Sequence, residues 1–425
     1  MIITKKTIRS IWIVFCLFIV IFNPPIVSFN LLHVVAFASW LWILTNRSEV
    51  KRRIYIGRVQ HISFVLLGVM IYLGFNAAFN DNSIIAAVID CFYFIFEIIP
   101  FCVYCVCNIE GDRMKIINWL RIVALIQAIL AVMAFMMPSV KTYFNQKLIN
   151  YGYGDVILDM MGYRQNGFAS SLTSYSSYFQ AFIAVICFYL FMNGKEKRMY
   201  NLALFALISF SAIINARTSI VILMLGILLI LFGVSGNTAR SGLLRLLIII
   251  VGIIMLPFAL RLIASSDNST SMWISDGISD IKNILHGDVG GSNSFFYYYK
   301  DFWHIPDGLD ILFGKGTVIM GSVGRLKYGI SSDVGFVNDI WKGGIIYTLF
   351  LWFGFLWTLR LMKNYMNAIG DHLFCFILSF FFIVAILINL KGFFFVKEAH
   401  TIVYMLLFLS LLCDKRISYE GESTL

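Results

Sequence analysis

Charge is scarce in this chain: Asp, Glu, Lys and Arg make up 13% of its 425 residues, about half the share found in a soluble globular protein. Hydrophobic residues make up 60%. That balance excludes a soluble enzyme and predicts an all-α polytopic membrane protein. Proline is also scarce, at six residues, so the membrane helices are expected to run mostly unbroken. The apolar runs are long and continuous, which excludes a β-barrel, whose strands would alternate over short segments. Metal-ligand spacing is missing as well. No HxxH or HExxH pattern occurs, and Cys102, Cys105 and Cys107 lie at membrane depth with no histidine beside them. All eight cysteines fall within hydrophobic segments and read as small apolar packing residues, not as a metal site or a disulfide framework.

The net charge of +10 does not point to nucleic acid, because the cations gather in short loops as the positive-inside rule expects. The clusters are Lys5, Lys6 and Arg9; Arg47, Lys51, Arg52, Arg53 and Arg58; Lys195, Lys197 and Arg198; Arg240 and Arg245; Arg360 and Lys363; Lys415 and Arg416. Each follows an even number of spans, so both termini are expected in the cytoplasm. The basic start and first apolar run resemble a signal peptide. No small-x-small cleavage pattern precedes Asn23-Pro24-Pro25, so the segment reads as a retained helix.

About twelve spans of bilayer length are predicted, near 10–27, 30–45, 61–79, 84–107, 116–137, 171–192, 200–214, 218–234, 243–264, 337–359, 371–390 and 399–413. They organise into three blocks. Residues 1–264 carry nine spans and an outer loop at 138–170. Residues 265–336 form a large extracytoplasmic loop, and 337–425 carry the last three spans and a cytoplasmic tail. The large loop is partly helical: Ile274, Ile278, Ile281 and Leu285 recur at helical spacing. A second helix is expected after Ser294, and Pro306-Asp307-Gly308 signals a turn. Only Gly314–Gly344 is long, glycine-rich and charged together, with Lys315, Arg325, Lys327, Asp333, Asp339 and Lys342. Its backbone groups would lack partners in lipid, so it is expected in water above the membrane, as the working part.

Four places offer chemistry. Arg164 and Arg217 stand at outer span boundaries, where a guanidinium fork matches phosphate oxygens; the alternative for Arg217 is an ion pair within the bundle. Asp333 is either a general base for a hydroxyl or, with Ser331 and Ser332, an N-terminal cap for the tenth span. Asp90 and Glu97 share one face of the fourth span, as a proton relay or substrate path, or as structural partners of arginines on neighbouring helices, or with Glu97 protonated. His286 and His304 are isolated loop histidines. The aromatic run 295–303 reads as interfacial belt or as a stacking surface for sugar rings. Lys391 and Lys397 flank an outer turn, as helix-end anchors or as added positive charge.

The chain resembles the bacterial polysaccharide polymerases that extend O-antigen and capsular glycans, and more distantly the O-antigen ligases. Four stretches carry the resemblance: Arg164-Gln165-Asn166-Gly167-Phe168; Asn215-Ala216-Arg217-Thr218-Ser219; Leu312-Phe313-Gly314-Lys315-Gly316; and Ser332-Asp333-Val334-Gly335-Phe336, followed by Gly343-Gly344. The last resembles the Ser-Asp-x-Gly-Tyr of polymerases, where ligases carry a His-Asn pair. Relatives commonly have an arginine in the helix before Leu-Phe-Gly-x-Gly, where this chain has Lys300.

The resemblance implies a GT-C-like fold and glycosyl transfer on the outer face of the plasma membrane, without metal or other cofactor. A glycan would move from polyprenyl pyrophosphate to a lipid-linked repeat unit. Arg164, Arg217 and Arg325 would bind pyrophosphate and Asp333 would activate the acceptor, with Lys300, Lys315 and His304 as further substrate contacts. Implied partners are the polyprenyl-pyrophosphate-linked oligosaccharide, membrane lipid, a chain-length regulator and a flippase. The rival readings are a glycan ligase, a flippase for the same lipid-linked unit, and a structural scaffold in an envelope-building complex.

Overall fold

The computed structural model describes residues 5–26, 31–54, 56–109, 112–150, 167–169, 175–193, 197–216, 218–233, 302–390, 392 and 399–412. Among them every regular element is helical: α1 (Lys5–Phe22), α2 (Leu31–Thr45), α3 (Arg47–Arg53), α4 (Ile56–Phe79), α5 (Ile84–Cys107), α6 (Met114–Met136), α7 (Pro138–Asn150), α8 (Tyr175–Asn193), α9 (Arg198–Asn215), α10 (Thr218–Gly233), α11 (Asp310–Phe313), α12 (Gly321–Tyr328), α13 (Gly335–Ala368), α14 (His372–Asn389) and α15 (Ala399–Leu412). Seven of these, α4, α5, α6, α8, α9, α13 and α14, are long and apolar enough to cross a membrane, and α2, α10 and α15 are shorter apolar helices. The protein is a helical membrane protein.

Two compact units divide the chain, with the boundary inside α6 after Val123. The first comprises 1–23, 29–123 and 301–425; the second comprises 24–28 and 124–300. In the first, the lower half of α5 is the core: Phe101, Cys102 and Cys105 are fully buried. Its course has a local cause. Pro100 has no N–H to give the Phe96 carbonyl, and Trp40 Nε1 donates to that carbonyl at 2.9 Å instead. The backbone widens to a π-helical turn over Phe94–Ile98, as inserted partners in a helix ladder do. In the second unit α8 is the centre, with 83% of its most apolar stretch buried.

Several expectations change. The stretch 138–170, read as an outer loop, begins with α7, whose first residue is Pro138; proline suits the first helical turn, where its missing N–H has no partner to lose. Gly314–Gly344 is not a solvated loop throughout. It contains α12, and Gly335–Gly344 opens α13 with Asp339 and Lys342 buried. Glu97 meets His33, a partner the sequence did not suggest, with His33 Nδ1 2.6 Å from Glu97 Oε1. The ninth span, His286, Lys391, Lys397 and most of the aromatic run 295–303 lie outside the described residues.

Candidate functional site

The site of the first unit is built on a broken helix. Gly344 leaves helical geometry at φ 76°, ψ 178°, a conformation glycine adopts without the usual Cβ penalty. The break deprives the carbonyls just before it of their in-helix donors. The loop after α11 supplies replacements: Lys315 N donates to Trp341 O at 2.7 Å and Gly316 N to Lys342 O at 3.1 Å. Tyr72 Oη, on α4, donates to Gly343 O at 2.9 Å and lies 3.1 Å from Phe313 O. Asn76 donates to that same Phe313 carbonyl. The interrupted helix is thus satisfied by backbone from a returning loop.

The glycines in this region permit close approach. A Cβ on Gly344 would lie 2.0 Å from Leu312 O, one on Gly314 2.5 Å from Gly344 N, and one on Gly316 2.3 Å from the Ala77 backbone. The Leu312–Gly316 and Gly343-Gly344 stretches, far apart in sequence, therefore interlock backbone to backbone. Gly335 likewise approaches the end of α14, where a Cβ would meet Asn389 Oδ1 at 2.4 Å and, past the helix, Gly392 O at 1.8 Å.

Buried charge lies directly beneath this knot. Lys342 Nζ, on α13, sits 2.5 Å from Asp90 Oδ2, on α5, with side chains 6% and 25% exposed. Asp339, one turn before Lys342, is buried and accepts from Asn389 Nδ2 at 3.1 Å. Buried ions are retained only when paired and hydrogen-bonded. Asp90 therefore has a lysine partner, where the sequence suggested an arginine or a proton relay. Nothing local could have signalled the pairing.

Above the knot, Ser332 and Asn338 fix the entry to α13. Ser332 Oγ donates to Phe302 O at 2.6 Å and accepts from Val334 N at 3.1 Å. Asn338 Oδ1 accepts from Ile319 N at 2.9 Å, while its Nδ2 donates to the carbonyls of Ser332 and Val334. Asp333 stands between these anchors and is exposed. It is not the cap of α13: the cap position is Val334, without a side-chain cap bond. Among the described residues neither Asp333 nor Arg325, which is exposed on α12, makes an ion pair or side-chain hydrogen bond.

The remaining candidates separate. Lys315 pairs with Asp310 at 3.1 Å and lies over the rings of Trp341 and Tyr328 at 5.3 and 5.7 Å. His304 contributes through its backbone, accepting from Trp341 Nε1 at 2.5 Å. Arg164, Arg217 and Lys300 lie outside the described residues. What flanks the two arginines in the second unit is closely packed. A Cβ on Gly167 would meet Gln127 Nε2 at 2.8 Å, and Phe168 packs on Phe144. Asn215 Nδ2 donates to Ser176 Oγ at 3.0 Å, and Ser211 Oγ to Gln180 Oε1 at 3.1 Å. In that seam Gln180 Nε2, Asn215 Oδ1 and Thr218 Oγ1 are buried and meet no hydrogen-bond partner among the described residues. Compared with protein-family models, curated proteins and solved structures, the chain matches none.

Proposed function

We propose that the chain is a polysaccharide polymerase of about twelve spans, GT-C-like in fold, in the bacterial plasma membrane with both termini cytoplasmic. It extends a glycan on the outer face, using a polyprenyl-pyrophosphate-linked repeat unit. The observation that carries this reading is Asp333: an exposed carboxylate that makes no ion pair or side-chain hydrogen bond among the described residues, held between the buried anchors Ser332 and Asn338. The interlocking of Leu312–Gly316 with Gly343-Gly344 supports it, because two stretches that resemble the polymerases form one local structure.

In this reading Asp333 takes the proton of the acceptor sugar hydroxyl. The hydroxyl oxygen attacks the anomeric carbon of the growing glycan, and the bond to pyrophosphate breaks with its electron pair on the leaving oxygen. Arg164, Arg217 and Arg325 stabilise that charge. The buried polar atoms of Gln180, Asn215 and Thr218, which meet no partner among the described residues, support a ligand-binding role beside Arg217. The test is purified protein incubated with its lipid-linked repeat unit, without metal or nucleotide. A ladder of products at repeat-unit spacing is expected, and its absence removes the proposal. The buried Lys342–Asp90 pair favours a second reading, a flippase for the same unit. Movement of the unit across liposomes without a ladder would establish that instead.

A further inference from the structure

A cavity of about 320 Å³ lies inside the first unit, between α4, α5, α13 and α15. It begins beneath the Lys342–Asp90 pair, at Asp90, Cys91 and Tyr347, and runs to His61, Thr358 and Tyr404. Its long axis follows the helices: Tyr347 to Thr358 on α13 spans roughly 16 Å at the helical rise per residue. Drawn out over that length, the volume makes a narrow slot and not a round cavity. Between its ends the walls are almost wholly apolar, with Leu66, Val69, Leu351 and Phe355 among them. One wall is α4, of whose most apolar stretch only 11% is buried. Val65 and Phe350, at the rim, are 51% and 54% exposed. A chain parallel to the surrounding lipid can therefore enter sideways.

The two ends differ in charge. At the Asp90 end the carboxylate faces the cavity and Lys342 is already engaged by it, so an anionic headgroup is disfavoured there. At the other end the exposed cations Arg360 and Lys363 follow Thr358 on α13 within two helical turns, and the exposed Lys51 and Arg52 of α3 precede α4. Cations gathered at one end of a bundle attract anionic lipid.

The geometry points to a resident-lipid site: an anionic phospholipid, its headgroup at the Arg360–Lys363 end, with one acyl chain threaded up the cavity toward Tyr347. The site is separate from Asp333 and independent of the polymerase reading. It would hold α4 against α13 and α15 and brace the knot from below.

The test compares full-length protein in detergent with added phosphatidylglycerol or phosphatidylcholine of identical acyl chains. Phosphatidylglycerol is expected to raise Tm by about 3 °C more than phosphatidylcholine and to remain bound in native mass spectrometry. A Cβ at Gly354, which lines the cavity, meets nothing within 4 Å, so Gly354→Leu fills the slot without a backbone clash. It is expected to abolish the rise with both lipids. Val65→Phe narrows the same slot from the exposed rim and keeps the test open if Gly354→Leu misfolds. Arg360→Gln with Lys363→Gln is expected to erase the difference between the lipids while leaving the common rise. Equal rises in the wild type, or an undiminished rise in both plug variants, overturns the site. Stabilisation by polyprenyl phosphate but not phosphatidylglycerol, lost on plugging, also overturns it by assigning the cavity to an isoprenoid chain.

Discussion

The two halves of α13 are one continuous element in the chain and two different materials. Before Gly344 the helix is polar and buried: Asn338, Asp339 and Lys342 are at most 5% exposed, and each bonds to another element or to the loop that enters the helix. After Gly344 it is apolar, with one face buried at Tyr347, Phe355 and Leu359 and the other turned outward, where Leu349 and Phe353 are 65% and 66% exposed. The first half is held by specific partners whose loss strands a buried polar group. The second is solvated by lipid, where one apolar side chain serves about as well as another. Substitutions of similar kind should therefore have large effects before the break and small ones on the outward face after it.

The largest expected effect is at the buried ion. Lys342→Met leaves Asp90 and Asp339 without their cation in a buried site, which should cost about 3–5 kcal/mol. Arg360→Met, on the exposed half, should change stability by less than about 0.5 kcal/mol. Thermal unfolding in detergent measures both. Lys342→Met combined with Asp90→Leu should recover much of the loss, because removing both partners leaves no unpaired charge from that bridge. If the double variant is no more stable than the single, the pair is not what holds the two helices.

Next come the glycines. Gly344→Ala places a Cβ 2.0 Å from the Leu312 carbonyl at positive φ, combining left-handed strain with overpacking against backbone, together about 3 kcal/mol. Gly354→Ala is ten positions further along the same helix in open space, and should stabilise by up to about 1 kcal/mol. Opposite signs in one helix, read from Tm, would sharpen the comparison; equal effects would break it. Below these is Ser332→Ala, which gives up two hydrogen bonds and should cost about 1–3 kcal/mol.

The same contrast explains what the sequence made legible. Helices such as α5, α6 and α14 follow from unbroken hydropathy, a local property that every residue of the segment repeats. α12 did not follow, because Gly321, Gly324 and Gly329 lower helix propensity and interrupt any apolar periodicity. Gly324 is there for close approach: a Cβ on it would meet Ile319 O at 2.2 Å. Lys342 and Asp90 are separated by 252 positions, and no periodicity or neighbouring residue type announces such a pair. Asp333 was legible as a position of interest, but its neighbours suggested a cap. The anchoring bonds of Ser332 resolve that ambiguity, since they hold the helix entry without help from the carboxylate.

Asp333→Asn has the smallest expected effect on the fold and separates stability from activity. Its side chain is exposed and without a partner among the described residues, so thermal stability should move by less than about 0.5 kcal/mol. The amide keeps the shape of the side chain but cannot accept the acceptor's proton, so elongation of the lipid-linked unit should fall by about 10²–10⁴. Ser332→Ala supplies the contrast from the adjacent residue: a measurable loss of stability, with activity falling only as far as the helix entry shifts. If Asp333→Asn lowers Tm as much as Ser332→Ala does and leaves elongation intact, the carboxylate belongs with the anchors, and the general base lies elsewhere.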